Sequence, residues 1–408
     1  MKFNLRKWLQ ISLFNLMLVA LLGVVLRYKI AFSLPFIEQK YLLHAHSHFA
    51  FGGWITQALM SLLVNYLSAK SNKPIHPKYI WLLYLNLFTA YGMLIFFSFQ
   101  GYGLFSIIFS TLSIVVSYFF AINYWRDLNK LPKTNISHNW FKAAVLFNAL
   151  SSIGPFVLAY MMVSKNIHQT WYLASIYFFL HFQYNGWFFF SCMGLLSYRL
   201  MKYRIPEKKL KLVFNLFMWA SVPAYFLSAL WLPIPNWVYM LVIVAVFLQL
   251  IAWFISLRLI KQVMSEIKKD ISRFSQRLFV LSALALTIKL LLQAGSVIPS
   301  MSKLAFGFRP IVIAYLHLVL LGVITIFILA YALAFEHISV NKITIRGVSV
   351  FTIGIILNET ILMIQGISAI VYYGISWINE ILFAIAIILF IGILLVNYGQ
   401  KFLGRVVA

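Results

Sequence analysis

Cysteine and acid are what this chain has least of. The single cysteine, Cys192, lies in an apolar run, so no intrachain disulfide can form and no cysteine cluster exists for zinc or iron–sulfur chemistry. Asp and Glu number 8 against 33 Lys and Arg, and charged residues make up only 10% of the chain. No segment alternates apolar and polar residues as a strand would, and neither a dinucleotide-binding motif nor a soluble cytochrome c domain is present. What is abundant is apolar sequence: 63% of the 408 residues are hydrophobic and 18% aromatic. The apolar runs repeatedly reach the ~20 residues needed to cross a ~30 Å hydrocarbon core. In lipid only a helix satisfies its own backbone polar groups within one segment, so the chain reads as an all-α polytopic membrane protein.

Twelve spans are expected, at roughly 8–26, 41–69, 79–98, 102–124, 142–163, 169–197, 212–232, 236–258, 277–296, 309–335, 347–372 and 377–400. The basic N-terminus precedes an apolar run too long for a signal peptide, and no small-residue cleavage site stands out, so it is read as a retained first helix. The net charge of +25 sits in the short gaps between runs, where it sets topology and does not imply nucleic acid. With the N-terminus inside, 26 Lys and Arg fall on the cytoplasmic side and 6 outside. This places both termini in the cytoplasm.

A motif recurs. His48 begins "HFAFGGW", His181 begins "HFQYNGW" and His317 begins "HLVLLGV", each with Gly five residues on, at Gly53, Gly186 and Gly322. The histidines are 133 and 136 residues apart and fall on the second, sixth and tenth helices. Twelve helices thus form three groups of four within one transmembrane domain, 1–408, with pseudo-repeats at about 1–135, 136–270 and 271–408. All three helices begin on the outer side, and a rise of about 1.5 Å per residue puts the imidazoles at a similar depth. In "HAHSH" (44–48), His44 and His48 share a face and His46 points away from it. The repeat glycines lie about 140° around the helix from their histidines, and with Trp54 and Trp187 they are assigned to helix packing.

With its histidines on helices two, six and ten, the chain resembles subunit I of the heme-copper oxidase superfamily, including the nitric oxide reductases and the NnrS-type membrane proteins. In that family twelve helices form three arcs of four, and the tenth carries His-x-His followed by glycine. "AYLHLVLLG" matches the second histidine, a low-spin heme ligand, at His317, and has Tyr315 where the high-spin ligand would stand. The resemblance implies a heme, of b type, with the other axial ligand on helix two. His44 answers by similarity to the Leu-His-Thr-Asn pattern of the reductases and His48 by the internal repeat, while "HAH" is similar to the opening of helix two in NnrS-type proteins. The copper-binding histidine pair of helix seven is absent, leaving His181 without partners, and the His-x3-Tyr pairing is missing. Reduction of dioxygen at a heme-copper centre is therefore not expected.

A bis-histidine heme needs two neutral imidazoles on facing helices, each with its other ring nitrogen held by an acceptor. The alternative role for the same histidines is hydrogen bonding between helices. His46 with His48 and His181 is the combination that would hold copper or zinc. His76, His138, His168 and His337 lie in connectors and are read as surface residues. Arg309 and Lys303, just outside helix ten, are candidate partners for heme propionates. Lys289 and Glu359 stand mid-span, where an ionisable group costs about 2.5–3.5 kcal/mol on insertion scales, and so mark a proton or ion path or an ion pair.

The expected function is electron transfer, or the handling or sensing of nitric oxide, by a membrane heme protein. The nitric oxide part is implied by the resemblance alone. Electrons would come from a quinone or a cytochrome. Two rivals belong to other classes: a channel or carrier that uses Lys289 and Glu359, and a non-catalytic assembly factor for a respiratory oxidase or reductase.

Overall fold

The computed structural model describes residues 3–71, 74, 76–132, 135–301 and 308–402, and these are helical throughout, with no strand among them. The helices are α1 (Leu5–Phe32), α2 (Gln39–Phe49), α3 (Gln57–Ser71), α4 (Pro77–Gln100), α5 (Leu104–Leu128), α6 (Ser137–Ser151), α7 (Ile153–Val163), α8 (Gln169–His181) and α9 (Phe189–Leu200). They continue with α10 (Glu207–Ser221), α11 (Asn236–Gln262), α12 (Met264–Asp270), α13 (Arg273–Ser296), α14 (Arg309–His317), α15 (Ile326–Ala334), α16 (Lys342–Ile370) and α17 (Ile378–Phe402).

Nine helical segments among the described residues are long and apolar enough to cross a membrane: α1, α4, α5, α6–α7, α11, α13, 309–334, α16 and α17 through Gln400. The other three expected spans differ for a physical reason. The runs 39–71 and 169–200 are helical from end to end but carry clusters of polar residues, among them His44, His46, His48, Gln57, Gln183 and Asn185. The run beginning with α10 reaches Ser221 and then tightens into a 3-10 turn over Pro223–Ser228. Proline there removes a backbone donor and its ring clashes with the preceding turn, ending the α-helix. Large apolar side chains that stand well out from the protein, such as Phe99 (80%), Val163 (85%) and Trp219 (76%), are placed for contact with hydrocarbon, not water.

Three of the long helices widen into π-helix, over Ala50–Thr56, Phe182–Phe188 and Leu318–Thr325. Each widening starts one or two residues after His48, His181 or His317 and contains the glycine of the repeated motif. π segments are rare and are found frequently at functional sites. Their displaced backbone groups need partners that lipid does not supply, and neighbouring side chains provide them. Asn15 Nδ2 of α1 donates to the Gly53 carbonyl at 2.6 Å and Asn86 Nδ2 of α4 to the Gly52 carbonyl at 3.0 Å. Tyr91 completes the set by donating to Asn15 Oδ1 at 2.6 Å.

The chain divides into two compact units, 1–120 with 316–408, and 121–315. In the first, α16 and α17 pack with their backbones in contact through Gly347 and Gly392, and Gln400 of α17 bonds Ser339 and Thr344 at 2.7–3.2 Å. Asn397 ties α17 to the Leu13 carbonyl of α1 at 3.0 Å. In the second, α6 lies against the Phe182–Phe188 segment, where Gly186 lets Phe147 approach, and α10 packs on α11 through Ala220, Ala224, Val242 and Ala245.

The connectors of this second unit carry a charged cluster outside the apolar helices. Asp270 accepts from Lys202 Nζ at 2.6 Å and from the Tyr203 hydroxyl at 2.9 Å. These two bonds hold the Asp270 carboxyl below its ordinary range. A depressed carboxyl contributes stability above its unfolded pKa and loses it as pH falls through the folded value. The join between the connectors is therefore expected to loosen below about pH 4, since an unperturbed Asp titrates at about 3.9, and Asp270→Asn to abolish that step. Hydrogen exchange of residues 201–204 across pH 3–6 reads it out; equal exchange in both proteins would refute it.

Candidate functional site

The site in the first unit is built on α2. This helix places His44, His46 and His48 on two faces, and the two faces meet different neighbours. His44 and His48 lie against the α4–α5 connection. His48 stacks on Phe97 with ring centroids 4.3 Å apart and 6° between planes, and its Nε2 is 3.4 Å from the Tyr102 hydroxyl. His44 meets Tyr102 edge to face at 4.6 Å, and its buried Nε2 has no hydrogen-bond partner.

His46 faces the opposite way, toward α1. Its Nδ1 is 3.1 Å from the Val19 carbonyl. A carbonyl only accepts, so Nδ1 carries the hydrogen and Nε2 keeps its lone pair. One turn on, Gly23 leaves the imidazole edge uncrowded: a Cβ there would stand 3.6 Å from His46 Cε1. Within electrostatic reach of the ring are His317 and Arg27. Thus His46 is the member of the trio with His317 in electrostatic reach, and Arg27 of α1 belongs to the same neighbourhood. His317 closes α14, directly before the π segment, and is half-buried. Arg309, exposed, opens the same helix eight residues earlier, about 12 Å along its axis at 1.5 Å per residue. Lys303 lies outside the described residues.

The second unit holds His181, 1% exposed, with both ring nitrogens engaged. Nε2–H donates to the Ser221 carbonyl at 2.8 Å, and Nδ1 accepts from Asn185 Nδ2 at 3.2 Å. Ser221 is available because the 3-10 turn at Pro223 sends the Tyr225 N–H to Val222 instead. As arranged, His181 is a helix-bridging imidazole with no lone pair to spare. Tyr315 meets Tyr184 edge to face, with ring centroids 6.3 Å apart. Lys289, 6% exposed, shares a small polar cavity with His181, Asn185, Ser221 and Gln249. Glu359 belongs to the first unit, half-buried on α16, and accepts from Asn358 Nδ2 at 3.1 Å.

Among the described residues no group of three or more His, Cys, Asp and Glu side chains is placed to hold a metal ion. Cys192 is buried and free. His138, expected at the surface, is only 5% exposed, because the first turn of α6 is packed and not part of the connector; His76 and His168 are exposed as expected. Trp54 and Trp187 are 2% and 0% exposed, and Trp54 Nε1 donates to Thr325 Oγ1 of the third π segment at 3.1 Å.

No protein-family model matches the chain, and no curated protein matches its sequence. The site's own chemistry therefore carries the functional reading.

Proposed function

We propose that this chain is a heme protein of a bacterial cytoplasmic membrane, with His46 and His317 as the axial ligands of a b-type heme. The observation that carries this reading is the Nδ1 bond from His46 to the Val19 carbonyl, with His317 in electrostatic reach of the same ring. A ligating histidine characteristically gives its other N–H to a carbonyl or carboxylate, which fixes the tautomer and the ring plane and raises the basicity of the ligating nitrogen. Both ligands are flanked by a π segment, one in 50–56 and one in 318–325. Arg27, within electrostatic reach of the His46 ring, would supply positive charge for a propionate.

A heme held by two histidines exchanges one electron at a time, and with both axial positions filled it binds gas only when a ligand leaves. The protein's own part is to hold two neutral imidazoles, exclude water and place cationic partners. Electron transfer from a quinone or a cytochrome is the activity this arrangement serves; a role with nitric oxide rests on the resemblance to the heme-copper oxidase superfamily. The twelve-span arrangement in three arcs of four, with both termini inside, belongs to the same proposal. It is supported by the equivalent π segments after His48, His181 and His317 and by the excess of Lys and Arg in alternate connectors.

The test is the reduced-minus-oxidised spectrum of the purified protein, with a pyridine hemochrome assay, for wild type and His317→Ala. A sharp α band in wild type, lost in the variant, is the expected result. A wild-type protein with no Soret band after expression in a heme-replete host would overturn the proposal.

A further inference from the structure

The polar cavity of the second unit has a different chemistry from the paired imidazoles of the first, and it is unexplained by a heme. Lys289 of α13 reaches it with no hydrogen bond or ion pair to any described residue, and no acidic side chain is among the described residues that line it. The Gln249 amide of α11, 8% exposed, faces the same space and also makes no hydrogen bond to a described residue. Across from them are Asn185, whose second amide hydrogen is unused by the bond to His181, and the Ser221–His181 pair. Phe189 and Phe217 wall off the remainder. A buried ammonium without a counter-charge is costly, and intramembrane lysines are ordinarily paired or line a pathway. Here the ammonium has three hydrogens to donate and no anionic partner among the described residues that line the cavity.

We propose that this cavity binds one small monovalent anion, with Lys289 as its charge partner and the Gln249 and Asn185 amides as neutral donors. The charge sign follows from a lining that contains a lysine and no carboxylate. The size follows from the space, which holds about one water-sized molecule, enough for a halide and too little for sulfate. An ion of this class neutralises Lys289 within the membrane and fixes α8, α11 and α13 around it. The proposal is independent of the heme, since every group it uses lies between residues 181 and 290.

The experiment uses the full-length protein in detergent, purified in sulfate buffer and titrated with chloride, bromide or nitrite at constant ionic strength. A ligand that binds only the folded state raises the melting temperature in a saturable way. Chloride and bromide are expected to do so in wild type; sulfate and the three-atom nitrite, both too large for the space, are not. Lys289→Met is expected to lose the response at least tenfold in affinity and to melt higher than wild type in sulfate. Should that variant fail to fold, anomalous scattering from bromide-soaked crystals of wild type decides, with a peak expected beside Lys289 Nζ. No ion-specific shift in wild type, an undiminished response in Lys289→Met, or no bromide peak at Lys289 would each overturn the proposal.

Discussion

His46→Ala is expected to abolish heme binding, whereas His44→Ala and His48→Ala retain it. The three histidines lie within five residues, and composition gives no reason to separate them. Geometry does. Of the three, only His46 has its Nδ1 anchored to a backbone carbonyl, that of Val19, and His317 and Arg27 lie within electrostatic reach of its ring. His48 stacks on Phe97 and its Nε2 approaches the Tyr102 hydroxyl, while His44 meets the Tyr102 ring edge to face. Loss of a group that merely orients a ligand costs about 10–100-fold in affinity, so loss of the ligand itself should leave the purified protein essentially colourless. His44→Ala should keep the wild-type α band and heme content within about twofold. Arg27→Gln is a finer probe: removing a nearby positive charge disfavours the reduced form, so the reduction potential falls while the band stays. The discriminating outcome is a His44→Ala protein without heme beside a His46→Ala protein with it. That result would mean that α2 turns its other face to His317 when heme is bound.

This contrast also shows what the sequence could and could not convey. Helical class and the membrane environment follow from the apolar runs, and the isolation of Lys289 in a span follows from its neighbours alone. The recurrent histidine and glycine pointed to positions where the backbone widens into π-helix, although nothing in the residues named the widening itself. Asn15 and Asn86, which accommodate it by capping the Gly53 and Gly52 carbonyls, read in sequence as ordinary polar interruptions of apolar helices. A face assignment by 100° steps puts His44 with His48 and His46 elsewhere, as found; which of the two faces has His317 in reach depends on tertiary packing, which periodicity does not encode. His181 illustrates the same limit. Its ring is saturated by the Ser221 carbonyl, forty residues away and released by the turn at Pro223, so only the three-dimensional fold shows that no lone pair remains. The two helical runs that carry His44, His46, His48 and His181 are less apolar than the other long helices, because the polar residues that make a site lower the average that reveals a span.

Gly392→Val should produce the largest loss of stability of any single apolar substitution in the first unit. The α16–α17 pair contacts backbone to backbone: a Cβ on Gly392 would stand 2.5 Å from the Phe351 nitrogen and 2.7 Å from its Cα, and one on Gly347 would stand 2.6 Å from the Val396 nitrogen. These obstacles are main-chain atoms of two long helices, and no rotamer change can move them aside. In lipid there is little hydrophobic force to hold helices together, so close van der Waals packing through small residues carries the association. Overpacking ordinarily costs about 1–3 kcal/mol, and a clash that must separate two backbones belongs at the top of that range or above it. Gly354 offers a graded comparison. Its hypothetical Cβ lies 2.9 Å from Leu389 Cδ2, the end of a flexible side chain, so Gly354→Ala should cost less than Gly347→Ala or Gly392→Ala. Gly374, with no atom within 4 Å of the added carbon, is the control, and Gly374→Ala should be neutral within about 0.5 kcal/mol. Thermal melting in detergent, followed by near-ultraviolet circular dichroism, ranks the four positions. The expected order of destabilisation is Gly392 and Gly347, then Gly354, then Gly374. A Gly392→Val protein that melts with wild type would show that the two helices separate at little cost, and that the seam between them is not what holds the carboxyl-terminal pair in place.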